Sequence, residues 1–407
     1  MELPGWTTRT LIAALPLALA GCTVTKQPGP GYLPEAVAAP VARTVPLTLA
    51  VSPGPGARNL PISTEIGTTV SGGTVISVTL TDPTGRSVPG DVRSDATSWV
   101  PREPLAYHRT YAATVTAASR DGQRQTRTTS FATMADPGGR SIGTGLYFFS
   151  GHTYGVGMPI VVEFSAAVPD SAKAAVERRL FVGSDPPQVG VWRWYGDRQV
   201  LYRPRDYWQP GTRLTVRTRL AGLPVGRRYL DQDRGGTATI GPKQVFLVRN
   251  DTKTLYVYQN NALTRRFPVS LGKHSTPTSS GNLVIMSREY VTVFDTPLYR
   301  ITAYYDERIT WDGQFLHAAP WSVGSQGRRN VSHGCVNLSV RNAAWVFGMA
   351  QVGDPVTVSG TETHVARGNG WTVWDMTWRE YLRGSVLPHP DLEAAAGPSE
   401  RVDRITG

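Results

Sequence analysis

The sequence predicts a mainly β protein: two tandem β-sandwiches, a third β-rich domain with a short helix, and a tryptophan-rich helical tail. Three observations carry this. Glycine (42) and proline (31) punctuate the 407 residues, which favours short strands between turns over long helices. Apolar residues alternate at period two through "VISVTLTDPTGRSV" and "RTYAATVTAASRDGQRQTRTTSFAT", with "DPTG" and "RDGQ" as the turns. The stretch from Pro101, "PREPLAYHRTYAATV", is echoed from Pro204 by "PRDYWQPGTRLTVRT", an offset that suits one sandwich domain.

The chain opens on a segment that is not part of this fold. Residues 11–20 are an apolar run ending in Leu19-Ala20-Gly21-Cys22. That is the length of a signal-peptide core and too short for a bilayer, which needs about 20 residues. Its end resembles a bacterial lipobox, which implies that residues 1–21 are removed and that the Cys22 thiol carries lipid. Residues 22–44, "CTVTKQPGPGYLPEAVAAPVART", read as a Pro/Ala/Gly-rich tether between membrane and fold. The expected location is therefore the outer face of the cytoplasmic membrane, within the cell-wall space.

Residues 45–138 and 139–242 are expected to be the two sandwiches, immunoglobulin-like in strand length and spacing. In the second, "MPIVVEFSAAV" and "TRLTVRTRLAG" are strand-like and "SAKAAVERRLFV" is a candidate helix. Trp192, Trp194, Tyr207 and Trp208 read as packing aromatics rather than a sugar-stacking face. The third domain, 243–360, starts as strand, turn, strand in "QVFLVRNDTKTLYVYQNNALTRRFPVSLGK", with Asn250-Asp251 and Asn260-Asn261 at the turns. "SVRNAAWVFGMAQ" (339–351) is helical in pattern. In the tail, 361–407, Trp371, Trp374, Trp378 and Leu382 fall on one helical stripe, expected to pack against the third domain.

The net charge is +11, and residues 139–243 hold 15 Lys/Arg against 8 Asp/Glu. Such a surface favours anionic lipid or an acidic wall polymer. No arginine-rich helix, aromatic RNA-binding signature or zinc-finger spacing is present, so no nucleic-acid partner is expected.

The chemistry concentrates at "VSHGCVN" (331–337). Cys22 and Cys335 are the two cysteines of the chain. With Cys22 lipidated, Cys335 has no intrachain partner, and a thiol left free in an exported protein points to reactivity. A thiol near pKa 8.5 is only about 3 % ionised at neutral pH. It needs a base, and His317 and His333 are both available. The helix after Cys335 offers a dipole for the anion, and Gly334 permits backbone N–H groups to converge on an oxyanion. These residue types predict acyl transfer through a thioester. Three ligands from His317, His333 and Cys335 would be the metal alternative, but there is no second cysteine pair and no H-E-x-x-H. No cofactor or metal is expected.

"HAAPWSVGSQGRRNVSHGCVNLS" (317–339) resembles the signature of L,D-transpeptidases with a YkuD-type catalytic domain: a histidine, then fourteen residues, then Ser332-His333-Gly334-Cys335-Val336-Asn337. "SLGKHSTPTSSG" (270–281) and "VYQN" are similar to the same family. The order of lipobox, two immunoglobulin-like modules, catalytic domain and Trp-rich tail resembles its mycobacterial members. The resemblance implies a peptidoglycan cross-linking enzyme that forms 3→3 links from a tetrapeptide donor stem and a diaminopimelate amine, and that carbapenems acylate. It implies Cys335 as nucleophile, His317 as base, the Ala318 backbone carbonyl as third triad member, and amides of His333, Gly334 and Cys335 as oxyanion donors. Tyr299, Trp321, Ser332 and Asn337 fall at positions implied to serve the substrate. The alternatives are an L,D-carboxypeptidase and a catalytically idle wall-binding lipoprotein.

Overall fold

The computed structural model describes residues 45–92, 98–295 and 300–395. Cys22, the leader and the tether lie outside the described residues, as does Tyr299. The fold is mostly strand. In the first sandwich, one sheet runs Thr48–Ser52, Ile66–Ser71, Ser98–Pro101, Gly90–Val92. The facing sheet runs Ala57–Leu60, Arg124–Thr133, Thr110–Ala118, Thr74–Thr81, Ser87–Val88. The period-two reading is visible in Thr110–Ala118, where Tyr111, Ala113, Val115 and Ala117 are all buried while their neighbours are not. They meet Leu80, Trp99 and Phe131 in one core.

The second sandwich pairs the sheet Thr144–Leu146, Ile160–Phe164, Gln199–Pro204, Gly190–Tyr195 with the sheet Thr153–Tyr154, Gly235–Ile240, Arg213–Thr218, Leu180–Asp185. The expected helix is there, Asp170–Glu177. Trp192, Trp194 and Trp208 are buried, and their indole N–H groups donate to Leu180 O, Glu177 Oε2 and Met158 O. They are core residues with satisfied polar ends, not a sugar-binding face.

The third domain has two sheets around a separate core. Six strands run in the order Ala262–Pro268, Thr254–Gln259, Gln244–Arg249, Pro355–Ser359, Ser279–Val284, Thr363–His364. Asn260 and Asn261 both take positive φ, 49° and 68°, as a tight hairpin turn between twisted strands requires. Four more strands run Ser287–Asp295, Arg300–Arg308, Phe315–Ala318, Val336–Leu338. Helix Val340–Met349 is capped by Ser339, whose hydroxyl accepts from the Asn342 N–H, and it buries Ala343 and Val346.

The tail corrects two expectations. It is not one helix. A 3₁₀ turn at Thr372–Trp374 stops, and a new helix, Trp378–Leu382, starts at a capping box between Thr377 and Glu380. Nor does its tryptophan stripe serve the third domain alone: Trp371, Trp374, Trp378 and Leu382 enter the core of the second sandwich, together with Val284 and Met286 of the third domain. The indole of Trp374 donates to Gly157 O at 2.7 Å and the Tyr381 hydroxyl to Leu201 O at 2.6 Å. The fully buried Arg203 guanidinium lies over the rings of Tyr381 (4.3 Å), Trp374 (4.5 Å) and Trp378 (5.1 Å). On the other side, Asp375 Oδ1 accepts the Asn282 N–H at 2.9 Å. The tail is a strap across two domains. Trp374→Ala is expected to cost about 3–5 kcal/mol, read as a lower urea midpoint, with tryptophan fluorescence and the third domain's activity lost together.

Candidate active site

Parallel pairing of two short strands builds the site. Leu316 faces Val336, His317 faces Asn337, and Ala318 faces Leu338. Leu316, Ala318, Val336 and Leu338 enter the core, so alternation turns His317 and Asn337 to the opposite face. Phe315 lies on that face as well, and Cys335 is the residue that leads into the Val336–Leu338 strand. His317 thus sits in one strand and Cys335 just before its parallel neighbour, two residues apart in register.

His317 is buried. Its Nδ1 lies 3.0 Å from the Ala318 carbonyl oxygen. A carbonyl only accepts, so Nδ1 carries the proton and Nε2 keeps its lone pair. Burial lowers the imidazole pKa to about 4, and the Ala318 carbonyl and the Asn337 side chain pull the other way. His317 is therefore a neutral base with a fixed tautomer. The rings of Phe294 (5.8 Å) and Trp321 (6.1 Å) flank it. Trp321 is 56 % exposed, so it stands at the mouth of the site.

Cys335 is half-buried as a residue, yet burial pushes its thiol up to about 12. The Phe315 N–H pulls down, Asp306 and Asp312 push up, and Arg308 pulls down. The Sγ donates to the Gly313 carbonyl at 3.7 Å. The resting site thus holds a neutral thiol turned to Gly313 beside a neutral imidazole, rather than an ion pair. Alkylation by iodoacetamide at pH 7 is expected to run about 10²- to 10³-fold slower than for free cysteine. Its rate should climb with pH through the alkaline range, as followed by intact mass.

The turn before the cysteine departs from expectation in three ways. The predicted helix dipole does not reach Cys335: the strand Val336–Leu338 intervenes, and three strand residues carry the chain about 10 Å before the helix begins. The Gly334 N–H, expected as an oxyanion donor, is held at 3.1 Å by the Ser332 hydroxyl, which itself donates to the Cys335 carbonyl at 2.6 Å. Gly334 takes φ +129°, which explains why glycine stands there. Ser332 and Asn337, read as substrate residues, are both buried and committed within the chain. Asn337 Nδ2 donates to Ser322 Oγ at 3.1 Å, and the Asn337 backbone exchanges two hydrogen bonds with Ser270. They brace the turn. His333 is exposed beside it. Sequence reasoning passed over Gly313, Phe294 and Lys273; the last was within a quoted stretch, whereas the first two are brought near only by strand pairing.

Comparison with known proteins agrees with this architecture. A model for bacterial Ig domains matches residues 57–224, and one for L,D-transpeptidase catalytic domains matches residues 243–358. L,D-transpeptidase 2 of Mycobacterium tuberculosis (strain CDC 1551 / Oshkosh) is 29 % identical over 94 % of this chain and 95 % of its own length. L,D-transpeptidase 5 of M. tuberculosis (strain ATCC 25618 / H37Rv) is 33 % identical over 83 % of this chain and 75 % of its own. This chain belongs to the L,D-transpeptidase family. Among solved structures, an L,D-transpeptidase in complex with imipenem is 36 % identical, covering 53 % of this chain and 99 % of that one, with a TM-score of 0.45. As an L,D-transpeptidase, the chain carries its candidate nucleophile and base within the matched catalytic region.

Proposed function

We propose that this enzyme cross-links peptidoglycan through a thioester on Cys335. The Cys335 sulfur attacks the carbonyl between the third residue and the terminal D-Ala of a tetrapeptide donor. His317 Nε2 takes the thiol proton and returns it to the departing D-Ala amine. The backbone amides of His333 and Cys335 hold the oxyanion, with Gly334 kept in place by Ser332. The side-chain amine of a second stem then attacks the thioester, forming the 3→3 amide and freeing the thiol.

The observation that carries this reading is the Nδ1–H of His317 on the Ala318 carbonyl. It leaves Nε2 unprotonated, and the register that sets His317 against Asn337, two residues past Cys335, supports His317 as the base. A backbone carbonyl serves this purpose whatever side chain occupies position 318, so alanine there keeps the orienting bond.

Carbapenems, with a strained acyl group, are expected to acylate the same sulfur. The lipobox at Cys22 supports export and anchoring at the membrane, and the excess of Lys/Arg in residues 139–243 supports retention on an anionic wall. Incubation with a disaccharide-tetrapeptide, read by mass spectrometry, tests the reaction. A dimer lacking one D-Ala means transpeptidation, a tripeptide means hydrolysis of the thioester, and no product contradicts the reading.

A further inference from the structure

The loop that precedes the Ser279–Val284 strand is fastened directly to the catalytic turn. Gly272 forms a β-bridge with Ser332. The Lys273 N–H donates to the Ser332 carbonyl at 2.9 Å, and the Thr276 hydroxyl donates to the same oxygen at 3.2 Å. The loop also closes on itself, with the Gly272 N–H on Thr278 Oγ1 at 2.8 Å and the Thr276 N–H on the Lys273 carbonyl at 2.9 Å. A Cβ at position 272 would fall 2.1 Å from the Thr276 oxygen, so the turn accepts only glycine. The backbone of Lys273 is thereby held in fixed relation to Ser332–Cys335.

Lys273 Nζ lies 3.3 Å from His333 Nε2. An ammonium only donates, so in this contact the imidazole nitrogen is the acceptor. The pair carries one positive charge, two residues from the nucleophile. The other charged groups near the turn are committed. Glu362 pairs with His274 at 3.7 Å. Asp312 accepts from the Thr310 hydroxyl. Arg308 donates to the carbonyls of Thr310 and Trp311 and covers the Phe315 ring. Among the described residues no carboxylate pairs with Lys273. A solvent-accessible ammonium on a backbone fixed beside the catalytic turn, with an imidazole against it, is arranged for an anion that arrives with the substrate.

We infer that Lys273, braced by His333, binds the terminal carboxylate of the donor stem and so selects donors that end one residue beyond the scissile carbonyl. The inference rests on the donor chemistry proposed above. In such a donor the carboxylate lies within about 5 Å of the carbonyl that Cys335 attacks, which is the reach of a residue packed against His333. A stem extended or amidated at that point presents no charge to the ammonium.

The test compares a tetrapeptide donor with its C-terminal amide, using wild type, Lys273→Met and Lys273→Arg in the full soluble chain. Wild type is expected to prefer the free acid. In Lys273→Met the ratio of kcat/KM for acid over amide should fall about 10- to 100-fold, the worth of a charge-assisted hydrogen bond. The loss should appear in KM, and Lys273→Arg should restore most of it. Iodoacetamide labelling of Cys335 and the thermal midpoint report whether the turn is intact, and both should match wild type. An unchanged acid-to-amide ratio in Lys273→Met, or equal loss on both donors, overturns the inference while leaving the thioester reaction standing. A wild type that turns over neither donor overturns the donor reading and this inference with it.

Discussion

Cys335→Ala is expected to lose acyl-enzyme formation and cross-linking altogether, on the order of 10⁶-fold by analogy with removal of an active-site nucleophile, while the fold survives. The thiol donates one long hydrogen bond, 3.7 Å to Gly313 O, and accepts one from the Phe315 N–H, and alanine is smaller, so unfolding free energy should change by about 1–2 kcal/mol. The two consequences are separable because the turn is held through the Cys335 backbone carbonyl, which accepts from Ser332, and not through its side chain. The other residues that hold it are Ser332, Asn337 and Ser270, whose hydrogen bonds do not involve the sulfur. Circular dichroism and a urea midpoint establish the fold, and intact mass after donor or carbapenem exposure reads the chemistry. An adduct retained by Cys335→Ala would place the nucleophile elsewhere.

His317→Gln is expected to lower the acylation rate about 10²- to 10⁴-fold. The size of the effect follows from the resting protonation states. The thiol sits at about 12 and the imidazole at about 4. Moving the proton between them in the empty site is therefore strongly uphill. Coupling the transfer to attack on the bound donor avoids this, with Nε2 taking the proton as the C–S bond forms. An amide in place of the imidazole cannot do this. For the same reason kcat/KM in the wild type should fall on the acid side only as pH approaches about 4, well below the range of an ordinary histidine. Stability shows the complementary sign. The folded-state pKa of His317 is depressed, so the unfolded chain binds more protons between about 4 and 6.5, and folding weakens as pH falls through that window. His317→Gln should remove this loss, which is measurable as a smaller drop in urea midpoint from pH 7 to pH 4.

Much of this arrangement was legible because it depends on local pattern. Alternation in Thr110–Ala118 and the Asn260-Asn261 turn follow from side-chain period and permitted φ values. Cys335 stood out because a free thiol in a chain whose leader reads as an export signal calls for a reason. What was misread depends on one or two residues. The strand Val336–Leu338 is too short to register as an alternating pattern, so in sequence the helix at 339–351 reads as close enough to lend its dipole to the cysteine. The tail's stripe fitted one helix, although Thr377 and Glu380 have the spacing of a capping box that restarts it. Ser332 and Asn337 lie in a catalytic signature, where polar residues invite a substrate role, yet burial commits them to the frame. Asp306 shows the limit most clearly. Burial moves its carboxyl to about 7 and it adds to the field at Cys335, but only the pairing of Glu307 with Leu316 and Arg308 with Phe315 brings that strand beside the site.

In the proposed reaction Cys335 carries the donor acyl group after loss of the terminal residue. Intact-mass measurement of the soluble chain, quenched in acid soon after mixing with a disaccharide-tetrapeptide, tests it directly. A mass increase equal to the donor minus one D-Ala is expected, mapped by peptide digestion to the segment containing Cys335, absent from Cys335→Ala and strongly reduced in His317→Gln. Cross-linked product formed with no such adduct, or an adduct mapped to another residue, would contradict it.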